Sequence, residues 1–218
     1  MTRRNDACAA PSSDDESGPA MAETACVGER GRSSSDEEKA TRERCDALAA
    51  RVLAYCEERR LKIACAESLT GGLLSDAFVR IPGASNVLLG SAVTYDINAK
   101  ASILGVDGSL LEREGAVHPD VAKQMAEGAA RLYAQPQYGD RVIGLATTGV
   151  AGPGPDGDKP AGLVYIGVSL PSCACDGRDE RRAEAVELRL CGTREEVRRL
   201  SVARVLENLS QLLAIFQE

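Results

Sequence analysis

The sequence predicts a three-layer α/β/α sandwich, in which helices cover both faces of a central sheet, and three observations support that prediction. Short apolar runs typical of buried strands alternate along the chain with segments whose apolar residues recur at helical spacing. A Ser-Leu-Thr-Gly-Gly turn at residues 68–72 joins the first apolar run to an amphipathic segment, as a strand is joined to a helix. The 218 residues, 44% of them hydrophobic and 27% charged, suffice for one ordinary globular domain and a tail.

The tail is predicted at the N-terminus. Residues 1–37 are rich in Ser, Asp, Glu, Gly and Ala and contain almost no large apolar side chains. They cannot bury enough surface to offset the entropy lost on ordering. We therefore expect a disordered, acidic, Ser-rich extension followed by a folded domain over residues 38–218. Early acidic residues such as Asp6, Asp14 and Asp15 disfavour a transit peptide, and we expect a cytoplasmic protein.

The elements of the domain follow from the spacing of its apolar residues. Cys45, Leu48, Val52 and Cys56 form a stripe among charged residues, which predicts a helix from about residue 36, and residues 63–66 read as a buried strand. The elements predicted after the turn are, in chain order, a helix from residue 73, a strand over 87–94, a helix over 98–104, a helical turn at 110–111, a helix over 119–133, strands over 141–147, 163–170 and 183–190, and a final helix capped by Thr193. The predicted core face of the final helix carries Val197, Leu200, Val205, Leu209, Leu212 and Leu213.

The composition disfavours several classes of function. A net charge of −7 and an aromatic content of 3% without Trp disfavour a nucleic-acid partner. No run approaches the roughly 18 apolar residues that cross a bilayer, so no membrane contact is expected. The eight cysteines include no Cys-x-x-Cys pair, and the single histidine, His118, is far in sequence from the closest cysteine pair. We therefore predict no metal site.

Ser68 is the first candidate for chemistry. It lies in the turn between the first strand and the helix that follows, where a rigid scaffold holds its hydroxyl. Backbone N–H groups at the start of that helix have no intrahelical acceptor and can hold an anion or a developing oxyanion. Two interpretations are open on these residues alone: Ser68 is a nucleophile, or Ser68 or Thr70 merely caps the helix.

Tyr95 and Lys100 lie where the second predicted strand ends and the next helix begins, the edge at which α/β sheets place their ligands. A lysine that is desolvated among other groups loses its proton near neutral pH and can act as general base to a hydroxyl. Lys100 is therefore a candidate base for Ser68, and Tyr95 is close enough in sequence to orient either group. A solvated lysine on a helix surface is the alternative.

Two further stretches are candidates for binding an anion. The loop at residues 147–160 follows a strand and is dense in glycine, so its N–H groups could cradle a phosphate or a carboxylate, although a plain long loop is the alternative. Arg194 and Arg198 lie one helical turn apart at the start of the last helix, either as a phosphate clamp or as basic residues on a solvated face. His118 precedes Pro119, a position that favours a helix boundary over a catalytic base.

Short motifs follow one another along the chain in a fixed order. They are Ala66-Glu67-Ser68-Leu69-Thr70-Gly71-Gly72, Pro82-Gly83-Ala84-Ser85, Val93-Thr94-Tyr95 with Lys100, Leu104-Gly105-Val106, Gly115-Ala116-Val117, Thr148-Gly149-Val150-Ala151-Gly152-Pro153, Lys159-Pro160-Ala161-Gly162 and Gly192-Thr193-Arg194. Together these motifs resemble the CinA C-terminal domain family, which includes the nicotinamide mononucleotide deamidases. The resemblance runs from about residue 45 to the C-terminus.

The resemblance implies a mixed central sheet and a metal-independent amidohydrolase without a cofactor, which converts nicotinamide mononucleotide and water to nicotinic acid mononucleotide and ammonia. It implies that Ser68 is the nucleophile, that Lys100 is its base and that Tyr95 assists. It also implies a small-molecule substrate as the partner, with no direct nucleic-acid or membrane contact, and a homo-oligomer. The residues that it implies for substrate and oxyanion binding are Thr70, Gly71, Gly72, Thr148, Gly149, Ala151, Gly152 and Arg198.

Some residues depart from the family's pattern. Leu69 stands where the family commonly has Cys, Ile97 where it commonly has Asn, and His118 where it commonly has Ser. Ile97 removes a polar group two residues from Tyr95, which would weaken the positioning of a substrate. The alternatives to a deamidase are a catalytically silent nucleotide-binding or partner-binding module of the family, and a related amidase that acts on a different small amide.

Overall fold

The computed structural model describes residues 34–174 and 180–215. Its helices and strands are, in chain order, α1 Ser34–Glu58, β1 Lys62–Glu67, α2 Leu73–Val79, β2 Leu88–Val93, α3 Ile97–Leu104, α4 Gly108–Glu114, α5 Pro119–Leu132, β3 Val142–Gly149, β4 Leu163–Leu170, β5 Arg182–Arg189 and α6 Arg194–Leu212. Residues 1–33 of the extension predicted over 1–37 lie outside the described residues. Its last residues belong to α1, which begins at Ser34, before the predicted start of the domain at residue 38.

The five strands form one mixed sheet in the order β2-β1-β3-β4-β5. The first three are parallel, with Ala66 of β1 opposite Ala92 of β2 on one side and Ala146 of β3 on the other. Strand β4 runs antiparallel to β3, and β5 runs antiparallel to β4. The mixed sheet that the family resemblance implied is therefore confirmed.

Helices cover both faces of the sheet, which confirms the predicted three-layer sandwich. Alternate residues of a strand point to opposite faces, and β1 shows the division: Ile63 and Cys65 belong to one buried cluster, and Ala64 and Ala66 belong to another. The first cluster contains the apolar faces of α1, α2 and α6. The second contains those of α3, α4 and α5. No helix among the described residues has both the length and the apolar character needed to span a membrane.

Helix α5 lies unusually close to the centre of the sheet because two strand positions under it carry no side chain. A Cβ atom at Gly144 of β3 would stand 1.9 Å from the carbonyl oxygen of Ala126, and one at Gly167 of β4 would stand 2.2 Å from that of Ala122. Both distances are far below van der Waals contact, so only glycine permits this approach. The close packing fixes the N-terminal end of α5, which His118 caps with its ring Nδ1 accepting from the Asp120 N–H at 3.2 Å.

The core face of α6 differs from the prediction. Leu200 and Leu212 are only partly buried, and the buried positions include Val202 and Leu206 instead. The difference arises because small side chains, Ser201 and Ala203 among them, are buried on the packed face of α6. Amphipathic spacing places large apolar residues but does not locate small ones that are buried by close helix packing.

The carboxyl ends of the three parallel strands meet at one edge of the sheet. Ser68 directly follows β1, Thr94 directly follows β2, and Thr148 is the penultimate residue of β3. Open α/β sheets bind their ligands in the crevice beyond this edge. The fold therefore brings residues that are 26 to 80 positions apart in sequence, counted from Ser68 to Thr94 and to Thr148, to one place.

Candidate active site

A cavity of about 280 Å³ opens beyond the carboxyl ends of β1, β2 and β3. Its lining consists of Ser68, Leu69, Tyr95, Lys100, Ala116, Val117, Thr148, Gly149, Val150, Ala151, Gly152, Pro153, Gly154, Pro155, Asp156 and Arg194. The three stretches that the sequence singled out around Ser68, Lys100 and Gly152 thus contribute to a single cavity. No group of three or more His, Cys, Asp or Glu side chains within residues 34–174 and 180–215 is arranged to hold a metal ion.

The Ser68 hydroxyl is not a helix cap. Helix α2 begins at Leu73, and its N-cap is Gly72, which has a positive φ of 101°. The backbone of Ser68 instead continues the register of the sheet, because its N–H donates to the Thr147 carbonyl oxygen at 3.0 Å. This contact leaves the Ser68 side chain directed into the cavity, where its Oγ lies 3.2 Å from Nζ of Lys100.

Lys100 is fully buried, which rules out the alternative of a solvated surface lysine. It lies in the first turn of α3, whose N-cap Asp96 accepts from two backbone N–H groups. Its Nζ donates to the carbonyl oxygens of Thr94 at 2.6 Å and of Tyr95 at 3.3 Å, besides its contact with Ser68. The amino group therefore has oxygen neighbours and no carboxylate in hydrogen-bond contact among the described residues.

This environment makes the amino group easier to deprotonate. Burial lowers the pKa of Lys100 from 10.5 to about 8, although the negative charge of nearby Asp96 opposes that shift. A neutral amine has two N–H bonds and one lone pair. In the structure Nζ donates to all three oxygens, those of Thr94, Tyr95 and Ser68. When the group loses a proton, two N–H bonds serve three oxygens, and a lone pair becomes available to the Ser68 hydroxyl.

Glu67 lies on the opposite side of the strand from Ser68 and holds the start of α2. Its buried carboxylate accepts five hydrogen bonds of 2.7 to 3.0 Å, from the backbone N–H groups of Gly72, Leu74 and Ser75 and the hydroxyls of Thr70 and Ser91. Two of the residues implied as binding residues, Thr70 and Gly72, direct these donors at Glu67 and not at the cavity. The third, Gly71, donates its N–H to the Ser68 carbonyl oxygen at 3.2 Å.

Two N–H groups of the turn remain for a ligand. Those of Leu69 and Thr70 have no hydrogen-bond acceptor among the described residues. Both belong to the peptide units that follow Ser68, whose hydroxyl lies in the cavity. Of the donors expected at Thr70, Gly71 and Gly72, only the Thr70 N–H is thus without an acceptor within the described residues, and the Leu69 N–H, which sequence reasoning missed, is without one as well. The signal available in the sequence was adjacency to Ser68 alone.

The glycine-rich loop forms one wall of the cavity. Thr148, Gly149, Ala151 and Gly152, which the resemblance implied as binding residues, all contribute to the lining. The Thr148 hydroxyl donates to the Ala116 carbonyl oxygen at 2.7 Å, which ties this wall to the segment that precedes α5. Gly152 has a positive φ of 83°, a conformation that favours glycine, and turns the chain toward α6.

The two arginines of α6 have different surroundings. Arg194 lines the cavity, and its guanidinium donates to the Gly152 carbonyl oxygen at 2.7 Å and to the Tyr95 hydroxyl at 3.0 Å. Arg198, which was implied as a nucleotide contact, does not line the cavity; it donates to the carbonyl oxygens of Leu69 and Thr70. Arg194 is therefore the arginine placed to meet a ligand, because the first residue of α6 faces the loop and the residue one turn later faces the Ser68 turn.

Tyr95 and the departures from the family pattern lie at the margin of the site. The Tyr95 side chain is 64% exposed and contacts Arg194, while its main-chain carbonyl is the group that contacts Lys100. Ile97 is 37% exposed at the start of α3 and does not line the cavity. His118 caps α5, as its place before Pro119 predicted. Of the departures, only Leu69 contributes to the lining.

Comparisons with known proteins agree on one family. The profile of the CinA C-terminal domain matches residues 45–213. A CinA-like protein from Frankia casuarinae is 42% identical over 170 residues, which cover 78% of this chain and 36% of the relative, so the chain spans about a third of its length. The crystal structure of the competence/damage inducible protein CihA from Agrobacterium tumefaciens is 33% identical, with a TM-score of 0.67 and coverage of 78% of this chain and 95% of that one. A CinA superfamily protein from Klebsiella pneumoniae is 26% identical, with a TM-score of 0.66 and coverage of 78% and 98%.

The buried carboxylate of Glu67 gives the first testable prediction. We expect Glu67→Gln to lower the free energy of unfolding by about 2–4 kcal/mol. The amide has one acceptor oxygen where the carboxylate has two, and its NH₂ group would face hydrogen-bond donors. Urea unfolding followed by circular dichroism measures this change. Glu112→Gln, at an exposed position of α4, is the matched control and should stay within about 0.5 kcal/mol of the parent. Equal stability of the two variants would contradict the role assigned to Glu67.

Proposed function

This chain belongs to the CinA C-terminal domain family, and from that premise we propose that it is an amidohydrolase that converts nicotinamide mononucleotide and water to nicotinic acid mononucleotide and ammonia. The observation that carries the proposal is the 3.2 Å contact between the Ser68 hydroxyl and the buried amino group of Lys100. A serine beside a base of depressed pKa is the arrangement that activates a hydroxyl for attack on an amide.

In the first half of the reaction, neutral Lys100 takes the proton of Ser68 while Oγ attacks the carboxamide carbon. The carbonyl oxygen becomes an oxyanion, which the N–H groups of Leu69 and Thr70 stabilise. The tetrahedral intermediate collapses when protonated Lys100 gives its proton to the departing amino group. Ammonia leaves, and the acyl group remains on Ser68 as an ester.

In the second half, a water molecule takes the place of ammonia. Lys100, neutral again, accepts a proton from this water as its oxygen attacks the ester carbon, and the same two N–H groups stabilise the second oxyanion. Lys100 then returns the proton to Ser68 Oγ, and the acid leaves. One group thus serves as base and as acid in turn, which suits a pKa of about 8.

The rest of the cavity suits an anionic substrate. The guanidinium of Arg194 lies in the lining beside the glycine-rich loop, and a guanidinium binds phosphate through paired N–H donors. We assign the nucleotide phosphate to Arg194 and the loop from Thr148 to Gly152. The reactive amide then extends toward Ser68, which lines the same cavity.

A catalytically silent binding module accounts for Lys100 less well. Burial of an ammonium group disfavours folding, and Lys100 in this chain has no acidic partner in contact to offset it among the described residues. Perturbed titratable groups of this kind concentrate at catalytic sites. Ile97, the departure that most favoured a silent module, lies outside the cavity lining and removes no group from it.

The function is tested by supplying nicotinamide mononucleotide to the purified protein and measuring ammonia and nicotinic acid mononucleotide. We expect turnover by the parent and at least about a 1,000-fold loss of kcat in Ser68→Ala and in Lys100→Met, because each removes a group that takes part in bond making. Lys123→Met, which changes a partly exposed lysine on α5, is the control and should keep parental activity. Binding without turnover would favour the silent module, and turnover of another amide alone would favour the related amidase.

The pH dependence provides a separate prediction. Lys100 must be neutral to accept the proton, and its pKa is about 8, so kcat/KM should rise about tenfold per pH unit below that value and level off above it. The measurement is the rate of hydrolysis between about pH 6 and pH 10. Lys100→Arg should stay inactive over the whole range, because a guanidinium does not lose its proton. A rate independent of pH below about 8 would exclude Lys100 as the base.

Removal of the Arg194 guanidinium should affect binding more than chemistry. We expect Arg194→Gln to raise KM for nicotinamide mononucleotide about 10- to 100-fold, the effect of losing hydrogen bonds to a charged group, while kcat changes little. Nicotinamide riboside, which lacks the phosphate, should show almost no difference between parent and variant. Arg189→Gln, on β5 away from the cavity lining, is the control. An equal rise in KM for both substrates would show that Arg194 does not bind the phosphate.

A further inference from the structure

Arg198 reaches from the second turn of α6 to the backbone of the Ser68 turn. Its Nε donates to the Leu69 carbonyl oxygen at 2.9 Å, and its Nη2 donates to the Thr70 carbonyl oxygen at 3.0 Å. Its Nη1 is paired with Glu195 on the same helix at 2.6 Å, which orients the guanidinium. The side chain is largely covered, with 25% of its surface exposed. One planar group therefore holds two consecutive peptide carbonyls.

These carbonyls have a fixed relation to the N–H groups proposed to stabilise the oxyanion. In a trans peptide the N–H points away from the C=O of the same unit. The Leu69 carbonyl shares its peptide unit with the Thr70 N–H, so a guanidinium that holds the oxygen also sets the direction of that N–H. The peptide unit between Ser68 and Leu69 is also held in place. Its carbonyl oxygen, that of Ser68, accepts from the Gly71 N–H, so the Leu69 N–H of the same unit points in the opposite direction.

Apart from Arg198, the Thr70 carbonyl accepts from the Leu73 N–H at 3.1 Å, whereas the Leu69 carbonyl has no other donor among the described residues. Gly71 and Gly72 both adopt positive φ, at 55° and 101°, and glycine lowers the cost of alternative backbone conformations. Glu67 fixes the far side of the turn through Thr70, Gly72 and the start of α2. On the near side, the contact from α6 comes from Arg198.

We propose that Arg198 is a positioning residue: by holding the Leu69 carbonyl it directs the Thr70 N–H at the oxyanion, and by holding the Thr70 carbonyl it fixes the Gly71 N–H, which in turn holds the peptide unit that carries the Leu69 N–H. The inference rests on the proposed hydrolase function of Ser68 and assigns to Arg198 no contact with the substrate. Its effect is on the transition state, because the oxyanion exists only after attack on the amide.

The neighbouring arginine supplies a matched control. Arg199 occupies the next position of α6, is partly covered, and pairs with the same Glu195 and with Glu38 of α1. No hydrogen bond joins it to the Ser68 turn among the described residues. A variant of Arg199 therefore removes an arginine and an ion pair with Glu195 but leaves the carbonyls of Leu69 and Thr70 held.

The test compares Arg198→Met, Arg198→Lys and Arg199→Met in the full chain. For Arg198→Met we expect a fall in kcat of about 10- to 100-fold for nicotinamide mononucleotide, with KM and the pH midpoint near 8 unchanged. Arg198→Lys should lie between this variant and the parent, because an ammonium cannot hold both carbonyls in the plane of a guanidinium. Arg199→Met should keep parental kcat. Thermal unfolding of each variant identifies a loss that is due to misfolding.

A second readout does not depend on the amide substrate. A fluorophosphonate reacts with an activated serine: a bond forms between Ser68 Oγ and phosphorus, the phosphorus–fluorine bond breaks, fluoride leaves, and Lys100 takes the proton. Its phosphoryl oxygen occupies the position of the oxyanion, so the labelling rate should fall in Arg198→Met by a factor similar to that in kcat.

The outcomes separate the two hypotheses. If the parent labels at Ser68 but does not hydrolyse nicotinamide mononucleotide, the deamidase proposal fails and labelling still tests Arg198. The role of Arg198 would be overturned if folded Arg198→Met had the labelling rate and the kcat of the parent. A change in KM alone, or an equal fall in kcat in Arg199→Met, would overturn it as well. If the parent neither labels nor hydrolyses nicotinamide mononucleotide, both proposals fail.

Discussion

The burial of the Glu67 carboxylate is the interaction on which the site depends. A desolvated charge is tolerated only when donors surround it, and the donors here come from β2, from the turn after β1 and from the start of α2. Satisfying this one group therefore fixes three segments of the chain relative to each other. Because neighbouring residues of a strand point to opposite faces, the same peptide run that buries Glu67 directs Ser68 into the cavity.

Lys100 is the counterpart of Glu67 on the cavity side. Both side chains are fully buried, but Glu67 is surrounded by hydrogen-bond donors, whereas Lys100 has two carbonyl oxygens and a hydroxyl. Burial lowers the pKa of Lys100 to about 8. The two buried groups therefore differ in their surroundings, with hydrogen-bond donors around the Glu67 carboxylate and oxygen acceptors around the Lys100 amino group.

The turn between Glu67 and α2 has its two sides held by different partners. Glu67 takes the N–H groups at the start of α2, and Arg198 takes the carbonyls of Leu69 and Thr70. The result is a turn whose remaining free N–H groups are those next to Ser68. The arrangement lies wholly within the part of the chain that matches the CinA C-terminal domain. This chain spans about a third of the relatives' length, and that third contains all the residues of the candidate site.

The amino-acid sequence by itself determined the order of helices and strands, the layered fold and the stretches that meet in the cavity, because these follow from apolar spacing and from glycine-rich turns, which are local properties. The alternation of side chains along a strand also places the neighbours Glu67 and Ser68 on opposite faces. Tertiary structure alone decided which donors of the Ser68 turn are free, that Arg194 and not Arg198 lines the cavity, and that Lys100 is buried. Each of these features depends on a partner more than 25 residues away in the chain or on the exclusion of solvent by distant elements. Whether a polar group forms a hydrogen bond, and whether a charged group is desolvated, depends on the atoms that the fold brings beside it.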